Sequence, residues 1–463
     1  MKRIVPFILG LLIVINVSAQ EDSPTGYSSF FSLAGSRYEP AVLGDDHDNI
    51  HISVINAYLW AGNNTFTIAD MQTMTSGSLT PTDMDGLIGK LKDNNRLGFG
   101  TTIEPLNVGV RINRGDKKEL LTVSAGFATR FEANLLYPNE LFQLFWKGNK
   151  QYAGQTIEFP FALNASLSNE YTIGAAMPLP ININENFEFR GGLRLKYIQG
   201  IFAAYTEKAQ VSMFTEQDGK YIDLGYDYRF HSTFDYLGAI DDDSTTTSNT
   251  PSFKPGDAAG KGFAFDLGFS GHYKERWFAN VNLLDIGSVT FKGEDNLTLS
   301  NNGSIRFEGV GVKNPLNESR RKLDTAFTEI VNGAKQERGQ DFTMPYPQRL
   351  RFHGSYKIPK EDKNGDTYYQ HSIGATVIQG FKDVGNATKS TYMAAAYTYN
   401  LKSHLEVGTN FGFRGYNIAE IGFFMAVRAG FFRLGIGSGN LIGAFAKKIA
   451  TGADVNFNMT MAF

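Results

Sequence analysis

The chain has 463 residues, 13% of them aromatic, with a net charge of −3, an isoelectric point near 6.2 and no cysteine. That balance gives no basic footprint for nucleic acid, and the lack of thiols excludes disulfides, thiolate metal sites, cysteine nucleophiles and a lipoprotein anchor. A soluble chain of this length would divide into two or three domains, whereas one closed sheet can take up all of it.

Lys2 and Arg3 precede an apolar run from Ile4 to Val17, and Val17-Ser18-Ala19 supplies the small residues of a cleavage site. The run is too short and too unevenly flanked for a membrane span, so residues 1–19 are expected to be a cleaved export signal leaving Gln20 first. No later stretch reaches the roughly 18 uninterrupted apolar residues of a transmembrane helix. Residues 20–95 open on an irregular Gly/Ser/Tyr stretch and are expected to form an N-terminal plug region together with a first strand. Met84–Leu91, preceded by Asp83, reads as a short capped helix.

Residues 96–463 carry the period of two that belongs to strands. Between Leu97 and Ile112 the apolar parity flips at Pro105, as a bulge requires. Leu121, Val123, Phe127 and Phe131 then oppose Thr122, Ser124, Arg130 and Glu132. Asn139–Trp146, ending at Gly148, reads as a second helix with Asn139 as its N-cap. Phe189, Leu193, Leu195 and Tyr197 oppose Arg190, Arg194 and Lys196. Two polar insertions, 240–261 and 293–347, are expected to be long extracellular loops, the second with a helix near Glu318–Val331. Leu350 and Phe352 alternate with Arg349, Arg351 and His353. Leu405, Val407, Phe411 and Phe413 oppose Glu406, Asn410 and Arg414, and Ile421, Phe423, Met425 and Val427 oppose Glu420, Gly422 and Arg428. In the last segment Val455, Phe457, Met459, Met461 and Phe463 alternate with polar or small residues.

Segments of about ten residues joined by short Gly/Asn/Asp turns, such as Lys274-Glu275, match tilted membrane strands. The expected fold is therefore all-β: a transmembrane antiparallel β-barrel of about fourteen strands, with an N-terminal lumenal plug and short accessory helices. Its surroundings would be outer-membrane lipid, and the strand ending in Phe463 resembles the signal read by the barrel-assembly machinery.

Three segments carry a family resemblance: Arg96–Gly100 with Leu106–Gly109, Leu144-Phe145-Trp146-Lys147-Gly148-Asn149, and Lys261–Gly268. They resemble a Bacteroidota outer-membrane barrel group, the domain-of-unknown-function family 5723, over nearly the whole mature chain. More distantly the chain is similar to fatty-acid-transporter-like barrels, including the PorV and PorP/SprF-type components of type IX secretion and gliding. That resemblance implies a barrel with a lumenal N-terminal plug and an outer-membrane location, and assigns no functional residues.

No HExxH, GxSxG or phosphate loop is present, and the seven His residues lie singly, His47 and His51 being nearest. No catalytic residue, metal ligand or cofactor is expected. What remains is a set of strand charges on the polar parity: Arg111, Arg130, Arg190, Arg194, Arg349, Arg351, Arg414 and Arg428, with Glu104, Glu132, Glu406 and Glu420 as partners. An arginine on the lipid face would cost about 2–4 kcal/mol near the midplane, which places all of them in the lumen. They form either an ion-pair network in a filled lumen or a wall that selects a solute or clamps a plug. Three functions are weighed: a channel or transporter for a small or hydrophobic solute, a non-enzymatic docking or secretion-associated barrel whose loops bind protein partners, and a membrane-embedded lipid hydrolase, which would need a Ser/His/acid set on the rim that the sequence does not show.

Overall fold

The computed structural model describes residues 28–463, apart from 47, 76–78, 116–117, 182, 219–220, 234–258, 309–334, 362–366, 385–388, 390, 402–403, 415–417, 442–444, 447 and 449. The expected signal, most of the loop 240–261, the helix near 318–331 and His47 thus lie outside the described residues.

The alternating segments become β1 (Ile50–Asn63), β2 (Asn95–Arg114), β3 (Lys118–Tyr137), β4 (Thr156–Pro160), β5 (Ala162–Pro178), β6 (Phe187–Thr215) and β7 (Tyr221–Ser232). They continue as β8 (Gly260–Tyr273), β9 (Trp277–Phe291), β10 (Leu297–Glu308), β11 (Lys335–Arg338), β12 (Phe342–Pro345) and β13 (Arg349–Glu361). The last are β14 (Thr367–Gly380), β15 (Thr391–Leu401), β16 (Leu405–Arg414), β17 (Ile418–Ala429), β18 (Phe432–Ser438) and β19 (Gly452–Ala462). Fourteen form a closed antiparallel ring in the order β1, β2, β3, β5, β6, β8, β9, β13, β14, β15, β16, β17, β18, β19. The ring closes where β19 pairs with β1 from His51↔Ala462 to Gly62↔Gly452, which leaves the wall without an edge.

Side-chain parity sets inside from outside. On β19, Asn456, Asn458 and Thr460 are buried in the lumen while Val455 is exposed on the outer face. The flip at Pro105 is a bulge: register with β3 slips between Ile103 and Leu106, both of which face out, whereas Glu104 and Asn107 face in. Proline has no N–H for the ladder, so an irregularity there costs the sheet least.

Two aromatic rows bracket the apolar band. Phe127, Tyr171, Tyr197 and Phe263 lie in register on successive strands, with ring centroids 5.1, 6.2 and 5.3 Å apart. Nearer the short turns, Phe187 meets Tyr273 at 4.6 Å and Trp277 meets Tyr356 at 4.4 Å. Tyr197↔Phe263 and Phe187↔Tyr273 are register pairs ten residues apart along β6 and β8. At about 3.4 Å per residue and a tilt of ~40°, ten residues rise about 26 Å, the height of an outer-membrane apolar band.

The 29 residues of β6 greatly exceed that need. Its first half pairs with β8 in the wall, and its second half pairs with β7 from Ala204↔Ser232 to Thr215↔Ile222. β7 pairs with β10, β10 with β11, and β4 with the upper end of β6, so a second sheet stands beyond the band on the long-loop side. The helix Asn139–Lys147 and Tyr152 cover its apolar face through Leu144 against Phe159, Met213 and Ile222.

Several expectations change here. The stretch 293–347 is not one loop, since it contributes β10, β11 and β12; strands wetted on one face carry too few apolar residues to show by composition. The helix expected over Met84–Leu91 is Pro81–Ile88, capped by Thr80 rather than Asp83, which sits at the third helical position and completes a capping box. Asn139 is the first helical residue, after Pro138, and does not cap through its side chain; Gly148 ends the helix at φ +77°. Of the expected plug region, residues 28–46 enter the lumen. The β1–β2 connection instead packs Phe66, Met71 and Leu87 on Leu97 and Tyr137 at the long-loop end.

The β8–β9 turn holds two non-glycine residues in the left-handed region, Lys274 at φ +51° and Glu275 at φ +55°. The Arg276 N–H donates to Tyr273 O at 3.1 Å, closing the turn. Both central positions favour Asn-Gly. The double substitution Lys274→Asn, Glu275→Gly should stabilise the barrel by about 1 kcal/mol, read as a higher urea midpoint in lipid vesicles.

Candidate functional site: a charged lumen holding the N-terminal segment

Residues 28–46 form an inward loop that rises from the short-turn mouth and returns to it before β1. The rising arm starts at Ser28 and Ser29, whose hydroxyls donate to the Glu406 carboxylate on β16, and the Ser29 N–H donates to it at 3.1 Å. A one-turn helix, Ser32–Gly35, follows. At the summit the Arg37 guanidinium reaches Glu170 of β5 at 3.1 Å. Glu170 neighbours Tyr171 of the upper aromatic row, so the plug spans the full height of the apolar band.

The descending arm is tied to the wall at every step. Glu39 accepts from Arg351 of β13. Arg190 of β6 donates to Ala41 O at 3.1 Å and Leu43 O at 2.7 Å, and also to Glu119 at 2.6 Å. Asp45 pairs with His272 at 3.3 Å, and Asp46 with His51 at 3.2 Å and Arg433 at 2.6 Å. Burial alone would raise both Asp carboxyls. His272, Arg190 and Lys357 outweigh it at Asp45, and His51 and Arg433 at Asp46, so both stay below the usual carboxylate range. Pro40 and Ala41 lie flat on a bare patch of wall made by Gly192 and Gly268, which face each other across β6 and β8.

Above the plug, the wall's own charges converge. Asp285 interrupts β9: register with β8 slips between Phe265 and Leu267, and Asp285 adopts φ +59°. Its N–H donates to Asp266 at 2.7 Å, and the bulge turns its carboxylate inward. There it meets Lys196, Arg130 at 3.2 Å and Arg349 at 3.1 Å. Lys196 also pairs with Asp266 at 2.8 Å, Arg130 with Glu132 at 2.6 Å, and the Tyr346 hydroxyl donates to Glu170. Arg37, Arg130, Lys196 and Arg349 thus face Glu132, Glu170, Asp266 and Asp285, four charges of each sign, all buried. Ile198, Val289, Phe291, Phe342 and Met344 roof this cluster.

The strand charges singled out from sequence are distributed as follows. Arg130, Arg349 and Glu132 join the cluster; Arg190, Arg351 and Glu406 hold the plug. Arg194 pairs with Glu104 at 3.1 Å, and Arg111 lies 3.5 Å from Glu119 near the β2–β3 turn. Arg428 is 3.9 Å from Asp48 at the short-turn mouth, Glu420 is buried on β17, and the Arg414 side chain lies outside the described residues. Lys196 was read on the polar parity of its strand without being counted among these charges, and Glu170, Asp266, Asp285 and Arg433 were not singled out. Arg433, between the outward Phe432 and Leu434, and Asp266, between Phe265 and Leu267, were readable by parity; Asp285 was hidden by its own bulge.

A chain of acid, imidazole and hydroxyl also occurs beyond the band. His231 bonds Glu207 at 2.7 Å and Thr298 at 2.9 Å, and stacks between Tyr205 and Phe342. Thr298 is buried, so this arrangement fastens the upper sheet rather than presenting a nucleophile.

On the outer side, Tyr171, Ile173, Leu195, Tyr197, Phe263 and Phe265 line an open groove of about 1220 Å³ along the upper aromatic row. Ile286 and Gly287, next to the Asp285 bulge, and Pro345 and Gln348 border it. β9 and the β12–β13 line are out of register pairing there, between Ser288↔Pro345 and Leu284↔Arg349.

Solved structures of similar fold include the Ralstonia pickettii toluene transporter TbuX (8% identity, 93% of each chain covered, TM-score 0.41). A Pseudomonas aeruginosa FadL homologue follows (8%, 96% of this chain and 95% of the other, TM-score 0.38). So does the translocator domain of the autotransporter NalP from Neisseria meningitidis (8%, 95% and 100%, TM-score 0.32). No curated protein sequence matches the chain. The sequence profile of one family covers residues 40–439, and the chain belongs to that family, the Family of unknown function (DUF5723).

Proposed function

We propose that this protein is an outer-membrane barrel that takes up a small apolar or amphipathic solute at the outer groove and passes it through a lumen closed at rest by residues 28–46. The groove carries the reading. About 1220 Å³ of largely aromatic and aliphatic lining exceeds what wall packing needs and suits a small ligand. It lies at the water boundary of the band, beside the one place where β9 loses its register with both neighbours.

Phenylnaphthylamine, a small apolar fluorophore, tests the reading. Ser288 lines the groove opposite Phe263, so Ser288→Trp fills it from the side. The folded wild type should bind the probe, and the variant should bind it at least tenfold more weakly while keeping its heat-modifiable mobility on gels. Equal binding by both, or none by either, would sink the groove as an uptake site.

The sheet of β4, upper β6, β7, β10 and β11 favours a second reading, a docking barrel, because it stands clear of the membrane. A stoichiometric protein partner after native purification, with no probe bound by the groove, would decide for it.

A further inference from the structure

We infer that the seat of the plug is an anion site, and that the solute admitted when the plug withdraws carries a carboxylate or another anionic group. This rests on the proposed passage and names the class of its cargo. The descending arm, residues 39–48, contains Glu39, Asp45, Asp46 and Asp48 and no lysine or arginine. Each carboxylate meets a basic wall residue: Glu39 meets Arg351, Asp45 meets His272 and Arg190, Asp46 meets Arg433, and Asp48 meets Arg433 and Arg428. Within this arm the segregation of sign is complete, unlike the balanced cluster above it.

Arg433 shows the consequence. Its side chain is 1% exposed, and among the described residues its partners Phe30 O, Asp46 and Asp48 all belong to residues 28–48. A guanidinium does not lose its charge in a protein. Withdrawal of the arm therefore leaves Arg351 and Arg433 lining a narrow space with low-dielectric walls, which concentrates anions and repels cations. The arm's carboxylates occupy the positions that an anionic head group would take, in the geometry guanidinium favours. A solute anion and the plug then compete for one seat, so the cargo itself promotes opening.

The chain has no cysteine, so Ser36→Cys places a single thiol on the buried plug. Its maleimide labelling is followed in vesicles with hexanoate, hexylammonium or hexanol at equal concentration. Hexanoate should speed labelling at least fivefold over the other two. The second measurement uses Glu39→Gln with Asp46→Asn, which loosens the seat. In a tenfold KCl gradient its reversal potential should lie on the chloride side, and adding Arg351→Gln with Arg433→Gln should remove that preference while current persists. Equal acceleration by all three probes, or a current that is unselective or cation-selective, overturns the anion site and leaves the passage standing. No acceleration by any probe together with no current from the loosened seat overturns both.

Discussion

Asp285→Ala should be among the most damaging single substitutions in the barrel wall, at about 3–5 kcal/mol of stability, because it removes one partner from a buried ion-pair cluster. Asp285 is fully buried and faces Lys196, Arg130 and Arg349. Without it the three cations must share Glu132, Glu170 and Asp266. The backbone argues for a specific role as well. A non-glycine residue at φ +59° costs free energy that the surroundings must offset, and here the Asp266 bond to its N–H and three cations do so. Two further variants separate charge from strain. Asp285→Asn keeps the shape and tolerates the left-handed region well, so its loss reports the charge. Asp285→Gly relieves the strain, and should recover only about 1 kcal/mol of what Asp285→Ala loses. Urea unfolding in lipid vesicles measures all three. A midpoint for Asp285→Ala equal to wild type would mean that the cluster is hydrated and contributes little.

The barrel was legible because its signal is periodic. Alternation on β3, β6 and β13 assigns Arg130, Arg190, Arg194, Arg349 and Arg351 to the lumen without any knowledge of their partners, and the flip at Pro105 locates a bulge from sequence alone. The site was legible only by halves. Arg130, Arg190, Arg349 and Arg351 announce themselves by standing on the polar parity, but their counter-charges come from elsewhere. Glu39, Asp45 and Asp46 lie in a non-repetitive segment where no period distinguishes a lumenal residue from a solvated one. Asp285 sits at a bulge, and a register slip erases the parity that would have identified it. The upper sheet was lost for a different reason. β10, with Ser300, Asn301, Asn302, Gly303 and Ser304, has a strand's hydrogen bonds and a loop's composition. Its pairing depends on the partner β7, which composition does not reveal.

Gly192→Val should open the barrel. An ideal Cβ at residue 192 would lie 2.2 Å from the Pro40 carbonyl carbon, 2.3 Å from its oxygen and 2.4 Å from the Ala41 nitrogen. These are backbone atoms of the plug, with no rotamer to yield. The wall is held on both sides, by β5 and by β8, whereas the plug is held by side-chain tethers and short turns. The plug must therefore move, and Arg37 is drawn off Glu170 and Glu39 off Arg351 as it does. Gly192 lies in regular strand conformation, so a β-branched residue suits the wall itself. The barrel should keep its heat-modifiable mobility while its conductance in planar bilayers rises at least tenfold over wild type, and a protease should reach residues 28–46. Gly192→Ala should already show part of the effect, since a single methyl makes the contact. Gly268, the register partner across β8, would place its Cβ 2.9 Å from the Ala41 nitrogen. Gly268→Ala added to Gly192→Val should change little, because both disrupt the same contact and sites that share a partner do not add. A folded Gly192→Val barrel with wild-type conductance and a protected plug would show that the lumen accommodates residues 28–46 in more than one way, and that their seat is not what keeps it shut.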